Sequence, residues 1–388
     1  MPVRKKLDSH VGRKRPQADL RRKNESRVQK SANIQDTFSD KILTWHQQYG
    51  RHDFPWQQDK TAYKVWVSEI MLQQTQVATV IPYFERFMTR FPTLIALAKA
   101  DEDTVLHFWT GLGYYARARN LHKTAKIIHS NHNGLFPETV EALIELPGIG
   151  RSTAGGIIAS AMNKPAVILD GNVKRVLCRY HCVEGWPEQN AVNKQLWDIA
   201  EKHTPEINCS DYNQAMMDLG ASLCSRTKPA CELCPLKSGC KAYLANRAEE
   251  FPHKKPKKKL PVKATSMLVL QSPDGEKVLL EKRPSHGIWG GLWSLPEIPT
   301  DDSPDAFLLL NGLKQKGQTE TWQVIRHTFS HYHLDISPVL ISLQKPQNSV
   351  MEKGRWHWYD LANPGQVGLA APVKKLLDGL GQKLESKL

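Results

Sequence analysis

Apolar residues recur at intervals of three and four from about residue 37 to 250, with little β-branched alternation. That period predicts amphipathic helices, among them 39–49, 63–78, 138–146, 151–162 and 171–182. Residues 1–35 hold few apolar side chains and no period, so they are expected to be disordered. A Pro/Lys stretch over 251–263 breaks the helical regime and reads as a linker. Beyond it, 265–271, 277–283 and 331–337 read as strands, with helical segments near 303–315 and 371–381. The chain is therefore expected to be multidomain. An all-α domain over 36–250 precedes an α+β domain over 264–388, and no internal repeat is visible.

A length of 388 residues allows two or three separate cores. The formal charge of +14 suggests a polyanionic partner, but its placement matters more than its sum. Residues 1–30 carry eleven Lys/Arg against Asp8, Asp19 and Glu25, and residues 253–263 carry six lysines and no acid. These two segments hold the whole excess. They raise non-specific affinity for phosphates without reading sequence. The chain has no signal peptide and no apolar run near eighteen residues, so a cytoplasmic protein off the membrane is expected.

Four of the seven cysteines, Cys224, Cys231, Cys234 and Cys240, fall in a C-x6-C-x2-C-x5-C pattern. The spacing is too tight for a disulfide framework in a chain of this size and predicts a metal centre held by four thiolates. Spacing alone accepts either tetrahedral zinc or a [4Fe–4S] cluster.

Three further segments carry candidate chemistry. In LPGIGRSTA (146–154), Gly148 and Gly150 allow a tight hairpin between helices, with unpaired N–H groups at the next helix start. Such a turn is a ready phosphate site, or simply a joint. In AVILDGNVKRV (166–176), Asp170 closes an apolar run before a helix. It suits an N-cap, or a partly desolvated carboxylate able to stabilise a positive sugar. In YKVWVSEIMLQQTQV (63–77), Glu69 has Val65, Trp66, Leu72 and Gln73 one turn away on either side. Among such neighbours its pKa should rise; the alternative is a half-exposed glutamate on a helix rim.

In this order, the Glu69 helix, the hairpin, the Asp170 segment and the cysteine cluster resemble the helix-hairpin-helix DNA glycosylases. The likeness is closest to the MutY-type adenine DNA glycosylases, with further matches in GLGYYAR (111–117), YNQAMMDLG (212–220) and RHTFSHYH (326–333). It runs from about residue 37 nearly to the end. The resemblance implies one [4Fe–4S] cluster on the four cysteines. It also implies a monomer acting on double-stranded DNA that carries adenine opposite 8-oxoguanine or guanine. Arg151 joins Gly148 and Gly150 as a candidate contact to the DNA backbone.

The family's lyase members carry a lysine two residues past the second hairpin glycine, where Ser152 stands here. Serine cannot form a Schiff base, so base release without strand cleavage is expected. Glu69 is implied as the acid that protonates adenine N7 and later activates water. Asp170 would stabilise the oxocarbenium-like sugar, and Asn172 would orient Asp170 or water. The base must leave the stack, and Gln74, Thr75, Leu112 and Tyr114 are implied to fill or wedge the vacated step. Leu112 and Tyr114 suit a core equally well.

The second domain resembles a Nudix fold but lacks the G-x5-E-x7-R-E-x2-E-E box: GGLWSLPE (290–297) is followed by no acidic cluster for magnesium. It should bind and not hydrolyse, with Phe329, Ser330 and His331 implied to read 8-oxoguanine. Two bland readings compete there, a core phenylalanine on a strand and a metal set of His327, His331 and His333. For the whole chain, the alternatives are an endonuclease III-like glycosylase/lyase and a non-catalytic mismatch-binding protein.

Overall fold

The structure, a computed structural model, describes residues 37–255, 259–344 and 354–385. The extension over 1–35 lies outside the described residues, as do Lys257 and Lys258 of the linker. Helix α1 (Phe38–Tyr49) opens on a capping box, in which Thr37 and Asp40 bond each other's amides. Helix α2 (Ala62–Leu72) is capped by Thr61 and is apolar on nearly every side, so it is the central buried helix.

The segment predicted as one helix over 63–78 is two. Helix α2 ends at Leu72, Gln74 turns left-handed at φ 56°, and α3 (Val77–Arg90) begins anew. The polar run 73–76 interrupts the apolar stripe, and its carbonyls find a partner elsewhere in the fold. Helices α4 (Leu94–Lys99), α5 (Glu102–Trp109) and α6 (Ala116–Asn131) follow. Helix α7 (Val140–Ile144) is shorter than the expected 138–146, whereas α8 (Arg151–Met162) and α9 (Gly171–His181) keep close to the expected bounds. Helices α10 (Asn190–His203), α11 (Cys209–Ser222) and the short α12 (Lys241–Leu244) complete the helical domain.

The second domain is built on a mixed sheet. Strands β1 (Val262–Gln271) and β7 (His333–Ser342) pair in parallel through its centre. Antiparallel partners flank them. Strands β2 (Lys277–Lys282) and β4 (Glu297–Ile298) lie on β1, β3 (Trp293–Ser294) and β8 (Trp356–Asp360) on β2, and β5 (Glu320–Thr321) and β6 (Ile325–Thr328) on β7. Helices α13 (Pro304–Leu310) and α14 (Ala371–Glu385) lie near the predicted helical segments.

Two boundaries need correction. Phe251, expected in the linker, is fully buried in the helical domain and receives a 2.9 Å hydrogen bond from Arg179 Nε at its carbonyl. Strand β1 already starts at Val262, inside the expected linker. The domains also share an apolar seam, where Leu106 and Trp109 join one buried cluster with Leu292, Trp293 and Leu369. Polar bonds pin that seam: Lys282 Nζ to Asp103 at 2.9 Å, and Tyr115 OH to the Leu369 carbonyl at 3.0 Å. Among the described residues, no helix is long and apolar enough to cross a membrane.

Candidate active site

Helix α8 crosses α2 at a pair of glycines. A Cβ on Gly155 would fall 2.1 Å from the Val167 carbonyl, and one on Gly156 would sit 3.1–3.3 Å from the Glu69 carboxyl. Only hydrogen at these positions lets the Asp170 segment and Glu69 approach α8 so closely. Glu69 and Asp170 then line one cavity of about 150 Å³, with Asn172, Trp56, Gln57 and Gln214 on its walls.

Glu69 keeps part of its surface on the cavity but is ringed by protein, and among the described residues no hydrogen bond reaches its carboxyl. Burial, and then the negative charge of Asp170, push its pKa up to about 7. It therefore holds or gives a proton near neutrality. Asp170 is an N-cap as well: Oδ1 accepts from the Asn172 and Val173 amides at 3.1 and 2.8 Å, and Oδ2 accepts from Asn172 Nδ2 at 3.0 Å. The N-cap reading of Asp170 holds, and the same carboxylate lines the cavity. The cap fixes the carboxylate at a helix N-terminus, where a negative charge is favoured.

Ser152 Oγ accepts the Leu169 amide at 3.0 Å, so this hydroxyl holds the segment that leads into Asp170. Arg175, which sequence reasoning passed over, donates to Asn172 Oδ1 at 2.9 Å, to the Gly220 carbonyl at 2.6 Å and to the Cys224 carbonyl at 2.7 Å. Its position three residues after Asn172 on a predicted helix was the available signal.

The four cysteines line one small cavity with Leu219, Leu223, Pro229 and Leu236. Arg179, fully buried, donates to Cys224 Sγ at 3.2 Å and to the Ser225 carbonyl at 2.7 Å. Among the described residues, no three His, Cys, Asp or Glu side chains converge closely enough to share one metal ion. The same holds for His327, His331 and His333, whose expected alternative as a metal set finds no support.

At the hairpin, Gly148 has φ +81°, and a Cβ there would lie 2.8 Å from Asn120 Cβ. Gly150 caps α8 with no side-chain acceptor, leaving the first amides of a twelve-residue helix without a side-chain cap. The Arg151 guanidinium stacks 4.0 Å over Trp197 and pairs with Glu201, about half exposed. Gln74 and Tyr114 are exposed and Thr75 is half-buried, whereas Leu112 is buried.

A cleft of about 530 Å³ between the domains brings Gln74 and Tyr114 to face Phe329, Ser330 and His331. Phe329 is half-buried among Trp289, His327 and Tyr332, with ring centroids 5.3, 4.6 and 4.8 Å away. Trp289, buried and held at φ 54°, was not foreseen as part of this surface.

Residues 67–202 match the family described as HhH-GPD superfamily base excision DNA repair protein, and residues 266–379 match the NUDIX domain. With the helical fold and its hairpin, these matches define a base-excision DNA repair protein with a Nudix-like second domain. A relative from Buchnera aphidicola (subsp. Acyrthosiphon pisum), an adenine DNA glycosylase, is 41% identical over 89% of this chain and 98% of its own. The human adenine DNA glycosylase is 33% identical over 82% of this chain and 70% of its own. A solved thermostable thymine-DNA glycosylase superposes on 57% of this chain and 99% of its own, with TM-score 0.50 and 28% identity. The chain belongs to the adenine DNA glycosylases, hydrolases that act on N-glycosyl bonds.

Proposed function

We propose that the protein releases adenine paired with 8-oxoguanine or guanine in double-stranded DNA, and that it does so without cutting the strand. The observation that carries this reading is the pair of carboxylates on one cavity, Glu69 near pKa 7 and Asp170 fixed by a helix cap.

Adenine leaves readily only once protonated, so Glu69 gives a proton to N7 as the glycosidic bond lengthens. The cationic sugar forms beside Asp170, whose charge stabilises it, and Asn172 holds Asp170 Oδ2 in place. Glu69, now ionised, accepts a proton from the attacking water. Ser152 takes no covalent part, since its hydroxyl is engaged with the Leu169 amide and no amine stands there.

DNA lies along the hairpin amides of Gly148, Gly150 and Arg151, with Gln74, Thr75, Leu112 and Tyr114 forming the wedge surface. Leu112 backs that surface from beneath, while Tyr114 reaches the cleft. Phe329, Ser330 and His331 read the base opposite, by stacking and hydrogen bonding. The four cysteines hold one [4Fe–4S] cluster as a structural clamp. Four cysteines that line one cavity, with no His, Asp or Glu among its other lining residues, fit the all-thiolate ligand set of such a cluster. The chain acts as a monomer.

The test is single-turnover cleavage of a duplex with one adenine opposite 8-oxoguanine, read with and without alkali. Strand breaks should appear only after alkali. Borohydride trapping of an enzyme–DNA imine would refute the monofunctional reading.

A further inference from the structure

Arg117 lies in the first turn of α6, directly after the 111–115 loop, and its guanidinium reaches six acceptors. Nη1 donates to the carbonyls of Ile70, Met71 and Gln73 at 2.8, 2.8 and 2.6 Å. Nη2 donates to Thr75 Oγ1 and to the carbonyls of Leu112 and Gly113 at 3.2, 3.3 and 3.2 Å. The Ile70 and Met71 carbonyls end the helix that carries Glu69, where a helix lacks its own donors and favours a cation. The other acceptors belong to the two loops on either side.

Both loops hold a non-glycine residue in the left-handed region, Gln74 at φ 56° and Tyr114 at φ 50°. Such backbone persists only where the surroundings over-determine it. One guanidinium sits between the two residues, stacked 5.4 Å from the Tyr114 ring and 5.5 Å from Trp109. Burial lowers its pKa to about 10, so it stays charged at neutral pH. The frame extends further, because Gln73 Nε2 donates to Thr153 Oγ1 at 3.3 Å, next to the Ser152 hydroxyl that anchors Leu169 beside Asp170.

We propose that Arg117 is a positioning residue for base extrusion, locking the 73–75 and 111–114 loops in register with each other and with the Glu69 helix. Its planar fork can serve two loops at once; a lysine ammonium, a point charge on a flexible stem, cannot. The inference rests on the reading of Gln74, Thr75 and Tyr114 as the surface that replaces the extruded base. A wedge displaced by about 1 Å should slow capture of the base about 100-fold. It should spare bond cleavage once the base is in the cavity, because the six acceptors of Arg117 include neither the Glu69 nor the Asp170 carboxylate.

The experiment uses the full-length holoprotein with Arg117→Lys, and Tyr114→Ala as the wedge control. Single-turnover excision is measured on adenine opposite 8-oxoguanine and on adenine opposite an abasic analogue, where no pairing holds the base and extrusion costs less. The rise of 2-aminopurine fluorescence at the target position reports extrusion directly. For Arg117→Lys the expected result is a loss of about 100-fold on the paired substrate, matched by the fluorescence rise, with less than threefold loss on the unpaired one. Equal losses on both substrates, or no loss on the paired one, would overturn the proposal. If Tyr114→Ala shows the selective loss and Arg117→Lys does not, the proposal falls and the wedge reading stands. If neither shows it, the wedge reading falls too. Should Arg117→Lys not fold, Thr75→Val, which removes one acceptor of the same fork, must show a smaller loss with the same substrate selectivity. Without that selectivity the proposal falls.

Discussion

Glu69→Gln should stop base release and at the same time stabilise the protein at alkaline pH. The folded protein raises this carboxyl from 4.5 to about 7, so its ionised form is disfavoured in the fold relative to the unfolded chain. A carboxyl raised in this way costs nothing below the unfolded value. The cost grows as pH rises from about 4.5 and is complete somewhat above 7. At about 1.4 kcal/mol per pH unit, the ceiling is about 3 kcal/mol. The side chain keeps part of its surface on the cavity, and solvent there offsets some of that cost, so about 1–3 kcal/mol is expected at pH 8. For a domain of this size that is roughly 2–4 °C in Tm per kcal/mol. Glutamine keeps the shape without the charge, so the melting temperatures of the two forms should converge near pH 4.5 and separate as pH rises. A variant no more stable than its parent at pH 8, or one whose advantage grows as pH falls, would refute the reasoning.

Other outcomes follow from the same geometry. Single-turnover excision should decline as pH rises above about 7, where Glu69 loses its proton; a rate that holds level or rises to pH 9 would contradict an acid role. Gly156→Ala should slow excision about 10–100-fold while leaving Tm within a few degrees, because the added methyl presses on the Glu69 carboxyl at 3.1 Å. Gly155→Ala should instead lower stability by about 2 kcal/mol or more, since its methyl meets a backbone carbonyl at 2.1 Å. Thermal melts and excision rates on the two variants separate the effects. Phe329→Ala should erase most of the preference for adenine opposite 8-oxoguanine over adenine opposite guanine while sparing the rate on the latter. Iron and sulfide analysis should find about four of each per chain, and Cys234→Ser should lose both; zinc in their place would remove the cluster assignment.

Much of the site was legible because it lies on strongly periodic helices. Glu69, Asp170, Ser152 and the hairpin glycines fall on α2, α8 and α9 or at their ends, where apolar spacing and turn chemistry both mark position. The break after Leu72 was not legible. Residues 73–76 read as one more polar turn of a helix, and the donor for its last carbonyls is Arg117, some forty residues away in sequence. Arg175 escaped for a related reason, since its partners at Gly220 and Cys224 meet it only in the folded state. The linker was misplaced at both ends because lysine and proline mark exposure of the chain, not the anchoring of Phe251 beneath Arg179. The cleft between the domains was not foreseen. No local pattern could put Tyr114 opposite Phe329 across a seam held by Asp103, Tyr115 and Leu369.

In the proposed mechanism Asp170 carries charge for the reaction as well as capping its helix. Asn is as good an N-cap as Asp and can still accept the Asn172 and Val173 amides, so Asp170→Asn removes the charge and keeps the cap, giving up the one bond from Asn172 Nδ2 to Oδ2. Single-turnover excision of adenine opposite 8-oxoguanine by this variant, with its DNA affinity measured alongside, is therefore the most direct test. Base release should fall about 10²–10⁴-fold with binding retained. Base release at the parent's rate would contradict that mechanism.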